Sequence, residues 1–399
     1  GSDQLGEILR LPDSPLANRL LTREQLALPE PRYPLSVVFC PRCSLVQLRH
    51  TVSPEVLFKD YVYFSSNSAA AVAHARAHAQ ALVASRRLDG RSLVVEAASN
   101  DGYLLSGFVE AGVPVLGIEP AANVAAAATA AGVPTRVEFF GEDCARGLAA
   151  EGLAADVFLG NNVLAHVDDL NGFVAGAARL IKEDGLVELE FPYVGDLIDR
   201  LEFDTIYHEH LCYFSAHAVE ALFARHELVF TDVARLPIHG GSLRVSAARR
   251  AEPAGRRRVE SLLQDERERG LVRAPYYLDF GAAVTALSSR LRALLGGLKS
   301  AGRRLAAYGA SAKGTTLLNT TRIDGALLDY VVDRSPVKQG RFTPGTHLAI
   351  HAPERLLSDR PDAVLLLTWN FADEILEQQA AYRSSGGRFI VPVPEPRLV

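Results

Sequence analysis

Two histidines flank a glutamate in Tyr207-His-Glu-His210, a segment dense in aromatic and ionisable groups. Histidine titrates near neutrality, so His210 is suited to removing an acidic C–H next to a ketone. Tyr207 can then donate a hydrogen bond to the enolate oxygen, and Glu209 can fix an imidazole's orientation. The plainer account is a helix start after a strand, with satisfied histidines; one histidine fits that better than two around a Glu. The spacing is not the H-E-x-x-H of zinc peptidases. His166, in Asn161-Asn-Val-Leu-Ala-His166, falls just past a predicted strand end where the same cleft opens, and serves equally as a cap or core histidine. Tyr61 and Tyr63 offer aromatic walls for a sugar, or plain packing.

A second constellation is Glu96-Ala-Ala-Ser-Asn-Asp-Gly102 at the end of a predicted strand. Small residues and Gly102 let backbone amides approach a ligand, while carboxylates accept bonds from an amino group or ribose hydroxyls. Glu119 closes the next strand about twenty residues on, where an acidic side chain grips an adenosine ribose. That spacing also suits a nicotinamide nucleotide, but a pyrophosphate prefers G-x-G-x-x-G amides to facing carboxylates. A sulfonium cofactor with a free amino-acid end suits Glu96, Asp101 and Glu119 better. Ser99, Asn100, Gly102, Pro120, Asn161 and Asn162 complete its candidate lining; the plain alternative is a capping turn.

Three further motifs carry chemistry. Tyr308-Gly-Ala-Ser-Ala-Lys-Gly-Thr-Thr316 presents amides with Ser311, Lys313 and Thr315 to an anion such as a phosphate, without a Walker A frame. His239-Gly-Gly-Ser-Leu-Arg244 adds a turn whose Arg244 can face the same diphosphate; a tight structural turn explains both motifs too. Cys40-Pro-Arg-Cys43 is half of a zinc site, with two thiolates at knuckle spacing. The chain opens Gly1-Ser2 and contains no Met, which reads as a tag remnant, so the missing partners are expected in absent N-terminal residues. A vestigial knuckle or a redox pair is the other account.

The elements that must position these groups follow from periodicity. A strand is predicted over 34–39 and an Ala-rich helix over 69–86. Strands at 93–96, 113–118, 157–160 and 185–191 alternate with helices ending near 111 and spanning 121–131 and 170–182. Charged and amphipathic helices at 256–270 and 277–301 precede a second cycle. Its strands fall at 304–308, 328–332, 363–367 and 389–392, with helices at 310–319 and 371–383. Alternation of this kind predicts an α/β fold with parallel sheets covered on both faces. The predicted division is 1–68, 69–250 and 251–399. At 399 residues the chain exceeds one core's usual reach, which agrees with several domains. A net charge of -5 gives no cause to expect nucleic acid or an anionic membrane. No apolar run is long enough to span a bilayer and no signal peptide is seen, so the expectation is a cytoplasmic protein, a monomer or weak oligomer. Cys144 and Cys212 read as reduced core residues.

Together the motifs resemble the S-adenosylmethionine-dependent C-methyltransferases of deoxysugar pathways in antibiotic biosynthesis. The resemblance rests on Leu16-Ala-Asn18, Cys40 to Cys43, Glu96 to Gly102, Asn162 to His166, Tyr207 to His210 and His239 to Arg244. It continues through Tyr308 to Gly314, Asp333 to Gly340, Thr343-Pro-Gly345 and Trp369-Asn370. It implies an N-terminal zinc-binding domain, a central Rossmann-like methyltransferase domain and a C-terminal Rossmann-like domain. It implies that His210 is the base, with Tyr207, Glu209, His166 and Tyr61 around the sugar of a dTDP-linked 4-keto-deoxysugar. Structural zinc is implied as well, although the family's first Cys pair is missing. The cofactor turn reads Glu-Ala-Ala-Ser where the family more often has Glu-Ile-Gly-Ser. A nicotinamide-dependent nucleotide-sugar oxidoreductase and a non-catalytic nucleotide-sugar-binding protein are the rival readings.

Overall fold

The computed structural model describes residues 2–53, 56–57, 64–250 and 253–399. Three sheets organise it. The first is antiparallel, in the order β1 (Gly6–Ser14), β2 (Tyr33–Phe39), β3 (Val46–Leu48) and β9 (Cys212–Tyr213). Cys40 to Ser44 form the tight turn between β2 and β3, closed by bonds from Cys40 N to Leu45 O and Ser44 N to Cys40 O, both 2.9 Å. The last strand comes from far along the chain, directly after His210. The N-terminal sheet thus holds the segment that carries the candidate base.

The second sheet runs β10 (Val229–Leu236), β11 (Ser242–Ala248), β8 (Ile181–Pro192), β7 (Ala155–Asn161), β4 (Val94–Ala97), β5 (Val115–Ile118) and β6 (Thr135–Arg136). From β8 to β6 every pairing is parallel, whereas β11 is antiparallel to both neighbours. Counted along the chain this is 3-2-1-4-5-7-6. It differs from the dinucleotide order 3-2-1-4-5-6 by the antiparallel strand wedged before the last one. Helix α1 (Ala69–Arg86) starts where the Ser68 side chain accepts from Ala71 N, and ends at Arg87 in the left-handed region. It buries Ala75, His78, Ala79 and Leu82, one face of a helix.

The third sheet is β14 (Ile350–His351), β13 (Val331–Val332), β12 (Leu305–Tyr308), β15 (Ala363–Leu366), β16 (Arg388–Val391) and β17 (Arg397–Leu398). All pairings are parallel except the last. The helix Phe280–Ser300 buries Phe280, Val284, Leu287, Leu291 and Leu295 and packs against β1 and the helix Ala312–Thr321. One apolar cluster joins Leu9 and Val37 of the first sheet, Val95 and Phe158 of the second, and Leu305 and Leu365 of the third. Among the described residues no helix is long and apolar enough to cross a membrane.

Several predicted elements change. The helix expected over 170–182 ends at Leu180, because Ile181 turns extended and opens β8. The helix expected over 371–383 breaks at Gln379 into Ala372–Gln378 and Ala380–Ser384. Strand β1, the β10–β11 hairpin and the helix Glu142–Ala150 were not foreseen. Tyr207 to His210 follow the 3-10 turn Phe203–Thr205, not a strand, and form a turn leading into β9.

Candidate active site

In open α/β sheets the ligand crevice opens where strand order reverses. In the second sheet that point lies between β4 and β7, and two loops of the predicted site leave from there. The first, 98–102, has Ala98, Asn100 and Gly102 at φ of 52°, 51° and 79°. Left-handed backbone at non-glycine residues is costly and gathers at functional sites. At Gly102 a Cβ would also meet Val133 at 2.8 Å, so no other residue fits.

Glu119, at the end of β5, accepts from Asn100 N (3.0 Å) and Ala121 N (2.9 Å), which fixes this turn and places Pro120 beside it. Asn100 Oδ1 accepts from Ser65 N at 2.9 Å and Asp101 Oδ2 from Ser66 N at 3.1 Å. Both Glu96 carboxylate oxygens, Asp101 Oδ1, Ser99 Oγ and Asn161 Oδ1 are buried without a hydrogen-bond partner among the described residues. Burial, then the Glu119 and Asp101 carboxylates, push Glu96 well above the ordinary carboxylate range. Burial raises Glu119 as well, against the two amides that lower it. Three buried carboxylates, two of them with open oxygens, fit a cationic, donor-rich ligand and repel a phosphate. Asn162, at φ 55°, continues the lining from the end of β7.

The second loop carries Leu164–His166, and Leu211 N bonds to Ala165 O at 2.7 Å, which brings the Tyr207–His210 turn to the same edge. His210 Nδ1 lies 2.8 Å from Thr205 O, and that carbonyl can only accept. The proton is therefore on Nδ1, leaving the Nε2 lone pair to accept from the Tyr207 hydroxyl at 2.9 Å. Burial, then the neighbouring His166 imidazole, hold His210 well below its usual range, so it is a neutral acceptor at pH 7. The His166 ring stands 4.8 Å from the His210 ring, edge to face, and burial lowers it to about 4. Glu209 does not orient this imidazole; both its oxygens accept from Asn18 Nδ2, at 2.8 and 2.9 Å. Burial raises Glu209 to about 7, with Asn18 opposing. Tyr61 and Tyr63 lie outside the described residues.

The C-terminal sheet reverses order between β12 and β15, and there the proposed phosphate turn divides. Ser311 Oγ caps its helix by accepting from Gly314 N (3.0 Å), and Thr315 Oγ1 donates to Ala17 O (2.9 Å). Lys313 alone of the three reaches the cleft, with Nζ 5.0 Å from the centre of the Trp369 ring. Trp369 Nε1 in turn donates to Asp204 Oδ2 at 2.6 Å. Arg244 Nη2 and Nε bond to Glu190 Oε2 at 2.8 and 3.1 Å, and His74 Nε2 lies 3.0 Å from the same carboxylate. Much of the Arg244 charge is thereby countered within the protein.

Sequence reasoning missed Thr205 as the orienting acceptor and Tyr213. The Tyr213 ring is 6.5 Å from His210, edge to face, and burial holds its hydroxyl well above the usual tyrosine range. Nothing in the local pattern marks either residue.

Along the chain, residues 1–58 match the family model described as "Putative zinc binding domain", 72–233 a methyltransferase domain and 237–394 a C-methyltransferase C-terminal domain. The chain is 36% identical over 400 residues to the C-methyltransferase NovU of Streptomyces niveus, covering 100% of this chain and 95% of that protein. This chain belongs to the S-adenosylmethionine-dependent C-methyltransferase family. Among solved structures, magnesium protoporphyrin IX methyltransferase from Synechocystis PCC 6803 with bound SAM is 16% identical, with a TM-score of 0.36 over 48% of this chain and 86% of that one. The PH0226 protein of Pyrococcus horikoshii OT3 is 17% identical, with a TM-score of 0.37 over 47% and 94%. Neither decides anything about chemistry. In this C-methyltransferase the carboxylate-lined crevice fits the cofactor's sulfonium and amino group. Zinc fits less well: Cys40 and Cys43 supply two thiols, and among the described residues no group of three or more candidate ligands assembles.

Proposed function

We propose that this C-methyltransferase methylates the ring carbon next to the ketone of a dTDP-linked 4-keto-deoxysugar, in the making of branched deoxysugars. The observation that carries the reading is the fixed tautomer of His210. Its Nδ1–H is held by Thr205 O, and its Nε2 lone pair faces the Tyr207 hydroxyl beside the cofactor crevice. When bound, S-adenosylmethionine supplies a methyl group already activated by sulfur. The chain's own task is to make a carbon nucleophile and aim it. His210 Nε2 takes the proton next to the ketone once Tyr207 swings its hydroxyl from the imidazole to the carbonyl oxygen, where it donates a hydrogen bond. Neutral His166 packs against the imidazole without adding a competing charge. Asn18 holds Glu209 in the chamber wall beside the base. Tyr61 and Tyr63 remain candidates for the sugar walls, and the C-terminal sheet closes the cleft through Lys313 and Trp369.

Calorimetric titration with S-adenosylhomocysteine and, separately, NAD tests the cofactor side. Incubation with dTDP-linked 4-keto-6-deoxyhexoses, read by mass for a gain of one methyl group, tests the substrate. Binding of NAD alone would return the oxidoreductase reading; failure of every keto-sugar nucleotide would remove the substrate assignment.

A further inference from the structure

A buried ammonium without an acceptor is costly, and it marks a place where an anionic ligand group belongs. Lys313 is such a group: its Nζ is buried and has no hydrogen-bond partner among the described residues. Its aim is fixed from below. Ser311 caps the helix Ala312–Thr321, Thr315 ties that helix to Ala17, and Trp369, anchored on Asp204, lies under the ammonium.

The charge faces the chamber of the candidate base. Its field acts on His210 and His239, and on the buried acids Glu202 and Asp204. Asp204 also immediately precedes Thr205, whose carbonyl holds His210. A keto-sugar nucleotide has two groups that this cation could meet, the diphosphate and the oxygen of the enolate. Asp204 already accepts from Trp369, and Glu202 Oε1 is buried with no hydrogen-bond partner among the described residues. Burial raises Glu202 to about 8 and raises Asp204 as well, so Lys313 stands in a lining poor in other positive charge, which suits an enolate carrying one charge better than a diphosphate carrying two.

We propose that Lys313, delivered by the C-terminal sheet, is a catalytic residue whose ammonium stabilises the enolate oxygen formed when His210 removes the proton. The step rests on the keto-sugar reading above. The C–H bonding pair becomes the new C=C bond, the carbonyl π pair moves onto oxygen, and the proton goes to His210 Nε2. The oxygen's charge is lost again when the carbon pair forms the C–CH3 bond, the carbonyl re-forms and the methyl's former bonding pair leaves with sulfur. A neutral imidazole held below its usual range is a weak base, so stabilisation on the oxygen side is what makes this proton removable.

The test follows deuterium uptake from D2O at the carbon next to the ketone of a dTDP-linked 4-keto-6-deoxyhexose. S-adenosylhomocysteine blocks methyl transfer during that measurement. Lys313→Met is expected to slow exchange and kcat by about 100-fold. Its affinity for dTDP should stay within about twofold, and Lys313→Arg should restore about a tenth of the rate or more. Unchanged exchange overturns the proposal. So does a dTDP affinity lowered about tenfold with kcat retained at saturation, which makes Lys313 a diphosphate contact. Should the Met variant fail to fold, Lys313→Gln decides against Lys313→Arg, and equal exchange by both sinks the assignment. If the unaltered enzyme takes up neither deuterium nor methyl, the keto-sugar reading fails; if it reacts and the Met variant matches it, only Lys313 falls.

Discussion

The two parallel sheets share a plan, and their crevices differ in what fills them. After β4 the loop turns through left-handed residues, and Glu119 at the end of β5 accepts from Asn100 and Ala121 amides. After β12 the loop turns at Gly309, and Asp333, just past β13, accepts from the Ala310 and Ser335 amides at 2.7 and 2.8 Å. The same acid-to-amide device braces both. The first crevice keeps buried oxygens open at Glu96, Ser99, Asp101 and Asn161. The second is closed from within: Lys338 donates to Ala310 O at 2.9 Å, and the Thr368 side chain crowds the space above Gly309. A ligand-binding plan has thus become an arm that carries Lys313 to the neighbouring site. Topology sets where a crevice opens, and side-chain chemistry decides whether anything can enter it.

The widest effect expected is at the residue both regions serve. His210→Asn should lower kcat about 1000-fold and leave S-adenosylhomocysteine affinity within about twofold. A loss of cofactor affinity in calorimetry would move His210 out of the base role. Next, Glu119→Ala should weaken S-adenosylhomocysteine about 10- to 100-fold, since the acid braces the turn through the Asn100 and Ala121 amides. The matching change Asp333→Ala should leave both S-adenosylhomocysteine and dTDP affinities alone and cost about 1–3 kcal/mol of stability in denaturant titration. A tenfold fall in dTDP affinity there would break the comparison, because the second crevice would then be a ligand site too.

A third prediction concerns pH. Burial raises Glu96 above its unfolded value, so the stability it contributes is present at low pH and is lost as pH rises through its folded pKa. The cofactor-free protein should therefore lose thermal stability as pH rises above the ordinary carboxylate range, by about 2–4 °C for each kcal/mol. The increment from S-adenosylhomocysteine, whose amino group meets this charge, should grow over the same range. Glu96→Gln should flatten both curves, and unchanged curves in that variant would remove Glu96 from the cation site. The smallest effect is expected from Trp369→Phe, which loses the bond to Asp204 and costs about 1 kcal/mol of unfolding free energy.

Much of this was legible in the chain. The parallel strands of both sheets show as short apolar runs ending in polar turns, and the cofactor turn and the Tyr207 to His210 cluster stood out by residue type. The antiparallel strands were not legible, because β10 and β11 lack a two-residue turn signal and β1 lies in a Pro-rich stretch. Nor was the division of Ser311, Lys313 and Thr315. All three are polar residues at a helix start, and only packing shows that two of them bond within the protein. The pairing of Arg244 with Glu190, 54 residues away, was not legible either.

The sequence by itself determined the periodicities of the two parallel sheets, the acidic lining of one crevice and the presence of a histidine suited to act as a base. Those depend on residue type and short spacing, which local physics reads directly. The tertiary structure alone decided the tautomer of His210, through a carbonyl five residues back in a 3-10 turn. It alone set Asn18 against Glu209, 191 residues away, and Lys313 beneath the open chamber. Those pairings depend on which long-range partner satisfies a buried polar group, and burial exists only once the chain has packed.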